Sequence, residues 1–164
     1  DKSFDAVCAF DVVEHVEDDD GALAKLAALT KPGGYLVVTV PAYAWMWSRH
    51  DEIHHHKRRY TRGQILAKLR AAGIEPVKAS YFNAALFPLA AVVRALKKLT
   101  GARAEDDAMP PGPLNAIFTW LFSLEAAWLA HASLPFGLSI VVIGRPAVRQ
   151  AERASAQGVL QAAS

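Results

Sequence analysis

Two short apolar runs constrain the fold of this chain more than any other feature of the sequence. Residues 6–10 (AVCAF) and 35–40 (YLVVTV) lack the polar alternation of a half-exposed strand. Strands of this kind are typical of a parallel sheet that is covered on both faces. Between them, three Asp residues at 18–20 favour a helix start, a helical spacing follows, and Pro-Gly-Gly at 32–34 ends it. The stretch therefore predicts a β-α-β unit with a right-handed crossover.

Polar residues directly after the first strand form the first candidate site. In parallel sheets, ligands bind outside the carboxyl ends of the strands. This end of the chain's first strand contains Phe10, Asp11, Val12, Glu14 and His15. Strand packing does not require an Asp and a Glu-His pair here, although the two carboxylates could simply cap the next helical turn. The segment is therefore predicted to face a ligand.

Several short motifs follow one another in a specific order between residues 4 and 81. They are FDAV, the strand-end DVVEHV, LTKPGG, a strand ending in Val-Pro, and W-x-x-x-D-E-x-x-x-H-x-R-R-Y from Trp47 to Tyr60. In this order they resemble the second half of a class I S-adenosylmethionine-dependent methyltransferase. They are most similar to the small-molecule methyltransferases related to ubiquinone-biosynthesis enzymes.

The resemblance implies an α/β fold, a partial Rossmann-like sheet that corresponds to the second half of the methyltransferase sheet. Its last strand would be antiparallel, and a helical insertion at residues 83–136 would precede that strand. The family's glycine-rich cofactor turn is absent from this sequence, so the chain is expected to be a C-terminal portion whose first strand has a bare edge. The implied domains are a truncated methyltransferase domain at 1–146 and a frayed or disordered tail at 147–164.

The resemblance also implies a cofactor and a catalytic base. S-Adenosylmethionine would lie against Phe10, Asp11 and Val12, with the Asp11 carboxylate complementing the sulfonium charge. A hydroxyl acceptor must lose a proton, and His is the side chain best suited to accept it near neutral pH. His15 is the first candidate for this base and His56 is the second.

The connection at residues 42–60 is rich in Trp, His and Arg, and it leaves the carboxyl end of a central strand. It is predicted to be a lid over the acceptor pocket, with Tyr43, Trp45 and Trp47 as an apolar wall and Tyr60 at its end. Alternatively, these aromatic side chains pack beneath the loop. Arg59 could hold an anionic group of the substrate or pair with the acidic residues near the first strand.

The three successive histidines at 54–56 do not predict a metal site. Consecutive loop residues seldom converge on one ion, and neither a Cys nor a Glu-x-x-His partner stands at ligand spacing. The sequence therefore predicts no metal site.

The rest of the sequence predicts the remaining elements. Thr61 and Gln64 form a capping-box pattern at the start of a helix that ends at Gly73. An alternating strand follows near a sheet edge, with Val77, Ala79 and Tyr81 on its covered face and Lys78 and Ser80 on the other. Residues 138–143 (LSIVVI) are the predicted last strand.

Two apolar helices are predicted within the insertion, at 86–99 and 114–134, on either side of a hinge at 101–113. The second approaches the length of a membrane span, but Asn115, Glu125 and His131 interrupt it. A cap over the acceptor pocket or a helix on a membrane surface fits better, and ordinary core packing stays open.

These observations favour methyl transfer to a small, lipophilic acceptor, on oxygen or carbon, with the activity of the isolated chain left open. The alternatives are a non-catalytic half-domain for dimerisation or membrane-surface association, and a nucleotide-dependent oxidoreductase. A net charge of +2 does not favour nucleic acid, and the single cysteine, Cys8, is predicted to be buried. The expected location is cytoplasmic, with peripheral membrane contact, a homodimer or pairing with a missing N-terminal half as open possibilities.

Overall fold

The computed structural model describes residues 4–100 and 112–147, which form four strands and five α-helices. In chain order they are β1 (Phe4–Phe10), α1 (Asp19–Leu29), β2 (Thr30–Pro41), α2 (Arg49–Ile53), α3 (Arg62–Ala71), β3 (Ile74–Phe82), α4 (Phe87–Thr100), α5 (Gly112–His131) and β4 (Ser139–Pro146). Short 3₁₀ turns occur at Val13–His15 and Ala44–Met46. The predicted tail from residue 148 and the predicted hinge up to residue 111 lie outside the described residues.

The strands form one sheet in the order β1-β2-β4-β3. β1 and β2 are parallel, whereas β4 is antiparallel to both β2 and β3. The predicted parallel pair and the antiparallel last strand are therefore confirmed, as is a helical insertion before β4. Because β1, β2 and β3 run in the same direction, their carboxyl ends meet at one edge of the sheet.

Local signals in the sequence set the starts of the helices. The Asp18 side chain accepts a hydrogen bond from the Gly21 N–H at 2.9 Å and caps α1. Thr61 and Gln64 form the predicted capping box at the start of α3. α1 ends earlier than predicted, at Leu29. The Pro-Gly-Gly sequence at 32–34 lies within β2, at the point where the pairing of β2 with β1 slips in register.

The hydrophobic core lies between one face of the sheet and helices α1 and α3. It is formed by buried aliphatic residues of β1, β2 and β4 together with the helix residues Leu23, Ala27, Ile65 and Leu69. On the opposite face, no element within 4–100 and 112–147 covers β1, and Phe4, Cys8 and Phe10 are exposed. The predictions that β1 is covered on both faces and that Cys8 is buried are therefore wrong, because every second residue of β1 faces outward.

β3 lies at an edge of the sheet, as predicted, but its two faces differ from the predicted ones. Val77 is 62% exposed and Ser80 is fully buried. The cause is a register slip against β4 between Pro76 and Lys78, which breaks the simple alternation. The Ser80 hydroxyl accepts a hydrogen bond from the Leu134 N–H at 2.7 Å, which satisfies this buried polar group.

Polar contacts join the second insertion helix, α5, to β3 and to the segment that follows β3. The Glu125 carboxylate of α5 accepts hydrogen bonds from the N–H groups of Asn83 and Ala84, the latter at 2.8 Å. The Lys78 ammonium of β3 donates to the Leu129 carbonyl of α5. Large apolar side chains of the two helices are exposed, among them Leu89, Val92, Leu96, Ile117, Trp120, Leu124 and Trp128. Among the described helices, none combines the length and apolar character needed to cross a bilayer.

Candidate functional site

The carboxyl end of β1 presents the three residues predicted to contact a cofactor. Phe10 and Val12 are 60% and 49% exposed. Asp11 between them has a positive φ of 50°, a conformation that Asp tolerates better than most residues. Its N–H donates to the Thr39 hydroxyl at 3.0 Å, and that hydroxyl donates to the Asp11 carboxylate at 3.2 Å. The end of β2 therefore fixes the turn at the end of β1.

The 3₁₀ turn that follows contains a buried acid. Val13 and Glu14 are fully buried, while His15 is exposed. Within residues 4–100 and 112–147, neither oxygen of the Glu14 carboxylate has a hydrogen-bond partner. Burial raises the pKa of Glu14 to about 7, and the nearby Asp11 charge adds to the effect.

The connection at residues 42–60 returns to this turn. Its two ends are joined by hydrogen bonds from the Tyr43 N–H to the Tyr60 carbonyl (2.8 Å) and from the Tyr60 N–H to the Pro41 carbonyl (2.9 Å). Close to its C-terminal end, the Lys57 N–H of the connection donates to the Glu14 carbonyl at 2.7 Å. The connection is partly helical and is attached to the 3₁₀ turn, so it folds over the carboxyl ends of β1 and β2 as the sequence predicts.

A buried carboxylate organises this connection. Asp51 accepts hydrogen bonds from the Ser48 N–H (2.8 Å), the His56 Nδ1 (2.8 Å) and the Arg59 Nε (2.7 Å). Burial acts to raise the pKa of Asp51, but the hydrogen bonds from Arg59, His56 and Ser48 and the charge of Arg59 together lower this pKa. Burial lowers the pKa of His56, against the opposing effect of Asp51. His56 is therefore neutral near pH 7, with its Nδ1–H donated to Asp51 and its Nε2 lone pair available.

His15 and His56 meet at this site. Their ring centroids are 4.7 Å apart, and the rings are nearly perpendicular. One ligand-type atom from each of Glu14, His15 and His56 lies within 4.8 Å of the other two. The sequence singled out both histidines but could not place them side by side, because their proximity depends on the backbone bond between Lys57 and Glu14.

Two residues predicted to bind the substrate are engaged with protein groups. The Arg59 side chain is 5% exposed, and besides Asp51 its guanidinium donates to the Ala42 carbonyl at 3.0 Å. The buried Tyr60 hydroxyl donates to the Asp19 carboxylate at 2.9 Å. Both residues hold the connection in place. The sequence suggested two partners for Arg59, a substrate anion or the acidic residues near the first strand. The structure shows a different acid, Asp51 of the connection itself.

The predicted apolar wall is part of an aromatic cluster. Tyr43 stacks on Tyr81 with centroids 5.2 Å apart and lies 5.5 Å from the Phe87 ring. Trp45 meets Phe87 edge-on at 6.2 Å. Burial raises the pKa of Tyr43 to about 12. Trp45 and Trp47 are 58% and 39% exposed, so this part of the connection offers aromatic surface to a ligand while it contacts β3 and α4.

Sequence comparison identifies the protein family of this chain. A protein-family profile described as a methyltransferase domain matches residues 1–83, which is just over half of the 164 residues. The chain belongs to this methyltransferase family. The match includes β1, the 3₁₀ turn with Glu14 and His15, and the whole connection with Asp51, His56 and Arg59.

Individual relatives match only part of their own length. A ubiquinone biosynthesis O-methyltransferase of Rhodopseudomonas palustris (strain BisB18) is 50% identical over 42 residues, which are 26% of this chain and 16% of that protein. A Haloferax volcanii protein named as a methyltransferase, solved with the Trm112 methyltransferase activator, matches with a TM-score of 0.51 and 16% identity over 91% of this chain and 56% of its own. Haemonchus contortus phosphoethanolamine N-methyltransferase 2, solved with S-adenosyl-L-methionine, matches with a TM-score of 0.50 and 13% identity. This match covers 90% of this chain and 34% of that protein. The two structures show a shared fold.

Proposed function

We propose that this chain takes part in S-adenosylmethionine-dependent methyl transfer to a small, lipophilic acceptor, with an acceptor hydroxyl as the preferred methylation site. The observation that supports this most is the pairing of His15 with His56 next to the exposed end of β1. A strand end open to a ligand and a basic imidazole beside it are the two features that methylation of a hydroxyl requires. Carbon methylation at an acidic position would use the same base.

The residues at the end of β1 fit the proposed cofactor. Phe10 and Val12 offer exposed apolar surface, and Asp11 presents a carboxylate that Thr39 holds in place. When bound, S-adenosylmethionine supplies an electrophilic methyl group on a positively charged sulfur. An acidic side chain stabilises such a charge, and the rigid turn holds it at a fixed distance from β2.

The acceptor would lie between the two imidazoles and the aromatic cluster. His56 has an available Nε2 lone pair because Asp51 accepts its Nδ1–H. His15 is more exposed than His56 and is the first candidate for the base that removes the hydroxyl proton. Tyr43 and Trp47 are proposed to contact the apolar part of the acceptor. Arg59 and Tyr60 are proposed to act as positioning residues, since their polar groups bind Asp51 and Asp19.

The test is to titrate S-adenosylmethionine against the purified chain and to measure transfer of its labelled methyl group to a panel of phenols and catechols. His15→Ala should lower the turnover rate about 100-fold, as expected for loss of a general base, while changing the cofactor Kd less than about twofold. His131→Ala, an exposed histidine on α5, is the matched control and should change neither. Equal losses in turnover and cofactor affinity for His15→Ala would remove His15 from the role of base.

A second candidate is a surface-association module, and it is favoured by a different observation. The free edge of β1 could pair with another strand, and the exposed apolar side chains of α4 and α5 could contact a membrane surface. If the chain shows no saturable cofactor binding but sediments with lipid vesicles or dimerises, this candidate replaces the catalytic one. A methyltransferase that also contacts membranes would show both properties.

A further inference from the structure

We propose that Glu14, His15 and His56 form a binding site for one divalent transition-metal ion of the zinc type. The site deepens the proposed function, because an ion held there would lie at the acceptor position. Only the role of the ion rests on the proposed function. The site itself is inferred from the three side chains. It is distinct from the histidine run at 54–56, of which only His56 takes part.

The three side chains supply a suitable set of ligands. Two imidazoles and one carboxylate are a known combination for catalytic zinc and for related ions, with further positions left open. In a tetrahedral site with bonds of about 2.1 Å, ligand atoms lie about 3.4 Å apart. The ligand atoms here are within 4.8 Å of one another. His15 is exposed, so rotation of its side chain can bring its ring nitrogen closer to the other two ligands.

Glu14 provides the second, independent observation. Its side chain is fully buried, and within the described residues both carboxylate oxygens lack hydrogen-bond partners. A buried polar group without a partner costs about 1–3 kcal/mol, and more for a charged one, so such a group calls for an explanation. A cation bound by Glu14 would supply the missing partner. The backbone bond from Lys57 to the Glu14 carbonyl keeps this residue beside His56.

The surroundings of His56 match the support that metal-binding histidines usually have. Such a histidine commonly donates its second ring N–H to a carboxylate, which fixes the ring and the tautomer. Here Asp51 accepts from the His56 Nδ1 at 2.8 Å, and Arg59 and Ser48 in turn hold Asp51. The Nε2 of His56 is therefore the nitrogen that would bind the ion. Asp51 is a positioning residue in this site.

The site suggests a specific role in the proposed reaction. With three protein ligands, the ion retains an open position for an acceptor oxygen, and a bound hydroxyl would have a lowered pKa. With the ion bound, His15 and His56 would be ligands instead of bases, and the lowered hydroxyl pKa would replace His15 by releasing the proton to solvent. Two nitrogen ligands favour zinc-type ions over Mg²⁺ and Ca²⁺, which prefer oxygen.

The experiment measures metal binding without cofactor or acceptor. The full chain is stripped with a chelator and titrated with Co²⁺, followed by visible absorption, and with Zn²⁺ and Mg²⁺, followed by calorimetry. One Co²⁺ per chain with intense visible bands and tight Zn²⁺ binding are expected, with Mg²⁺ much weaker. Glu14→Gln and His15→Ala should each weaken Co²⁺ binding at least about tenfold, and Asp51→Asn should weaken it about 10–100-fold. His15 is exposed, so its loss should leave the fold intact.

The matched control is the double variant His54→Ala/His55→Ala, which removes two exposed histidines of the run and should bind Co²⁺ as the parent chain does. Unchanged Co²⁺ affinity in Glu14→Gln and His15→Ala, or loss of binding in the double variant, would overturn the proposal. Failure here is distinguishable from failure of the proposed function. Methyl transfer that persists in chelator with no metal binding disproves the site alone, and metal binding without methyl transfer disproves the function alone.

Discussion

At the scale of single residues, Asp19 shows how one buried carboxylate holds several elements together. It begins α1 and is 3% exposed. It binds the Tyr60 hydroxyl at 2.9 Å, Lys68 of α3 at 3.1 Å and Arg58 at 2.8 Å. Burial acts to raise the pKa of Asp19, but the hydrogen bonds from Lys68 and Tyr60 and the charges of Arg58 and Lys68 together lower this pKa. The lowered pKa makes the contribution of Asp19 to stability dependent on pH.

Asp19→Asn should therefore reduce the free energy of unfolding by about 2 kcal/mol at pH 7. A carboxyl whose pKa is lowered by folding stabilises above its unfolded pKa, near 3.8, and loses that contribution as the pH falls through the lower folded value. The difference between variant and parent should shrink accordingly in urea unfolding curves recorded from pH 7 down to pH 3. Asp20→Asn, at an exposed partner of the same Lys68, should cost under about 0.5 kcal/mol. An Asp19→Asn deficit that stays constant across this range would contradict the assignment.

The bond between Thr39 and Asp11 gives a second prediction at this scale. Thr39→Val keeps the shape of the side chain but removes the hydroxyl that accepts from the Asp11 N–H and donates to its carboxylate. The turn should lose part of its order, and the affinity for S-adenosylmethionine should fall about tenfold, equivalent to roughly 1.4 kcal/mol. Calorimetric titration measures this, with the exposed Thr119→Val on α5 as control. An unchanged cofactor Kd would show that the orientation of Asp11 does not matter for binding.

At the scale of elements, the sequence predicts those parts of the fold that depend on local signals. The apolar runs predicted β1 and β2, and the Thr61–Gln64 capping box predicted the start of α3. The register slip that exposes Val77 could not be predicted, because it depends on how β3 pairs with β4. The same limit applies to the site. His15 and His56 were identifiable as candidates. Glu14 was predicted either to face a ligand with the rest of the strand-end segment or to cap the next turn. Its burial was not predicted, since it arises from the connection that folds over it.

The attachment of α5 to β3 yields a prediction about an element. Glu125 accepts hydrogen bonds from the backbone that joins β3 to α4. Four large apolar side chains of α5 are exposed, namely Ile117, Trp120, Leu124 and Trp128. Glu125→Ala should raise the hydrogen-exchange rate of the Ala84 amide about tenfold, since a charge-assisted hydrogen bond contributes about 1.5–3 kcal/mol. Thr119→Ala on the same helix is the control, because its hydroxyl bonds to the Asn115 carbonyl within α5. Equal exchange in both variants would show that apolar contacts, rather than Glu125, hold α5 in place.

At the scale of the whole molecule, two open surfaces distinguish this chain. Among the described residues β1 pairs only with β2, so its other edge is free, and one of its faces is exposed. The other open surface is formed by the apolar side chains of α4 and α5. A free strand edge with exposed Phe4 and Phe10 promotes pairing with another strand, whereas exposed helix surfaces promote contact with apolar partners. If the edge of β1 drives association, the partner is another strand, whereas if α4 and α5 drive it, the partner is an apolar surface.

Cys8 on the exposed face of β1 provides the test. Its thiol should react with a disulfide reagent in dilute native protein, because it is exposed, and should become protected when the concentration is raised if β1 forms the contact. Cys8→Lys should then reduce the associated fraction measured by light scattering, since a charge on an edge strand opposes pairing. Val92→Lys places the same charge on exposed α4 and should leave this association unchanged. If Val92→Lys abolishes association and Cys8→Lys does not, the helices of the insertion form the contact, and the edge of β1 stays free in solution.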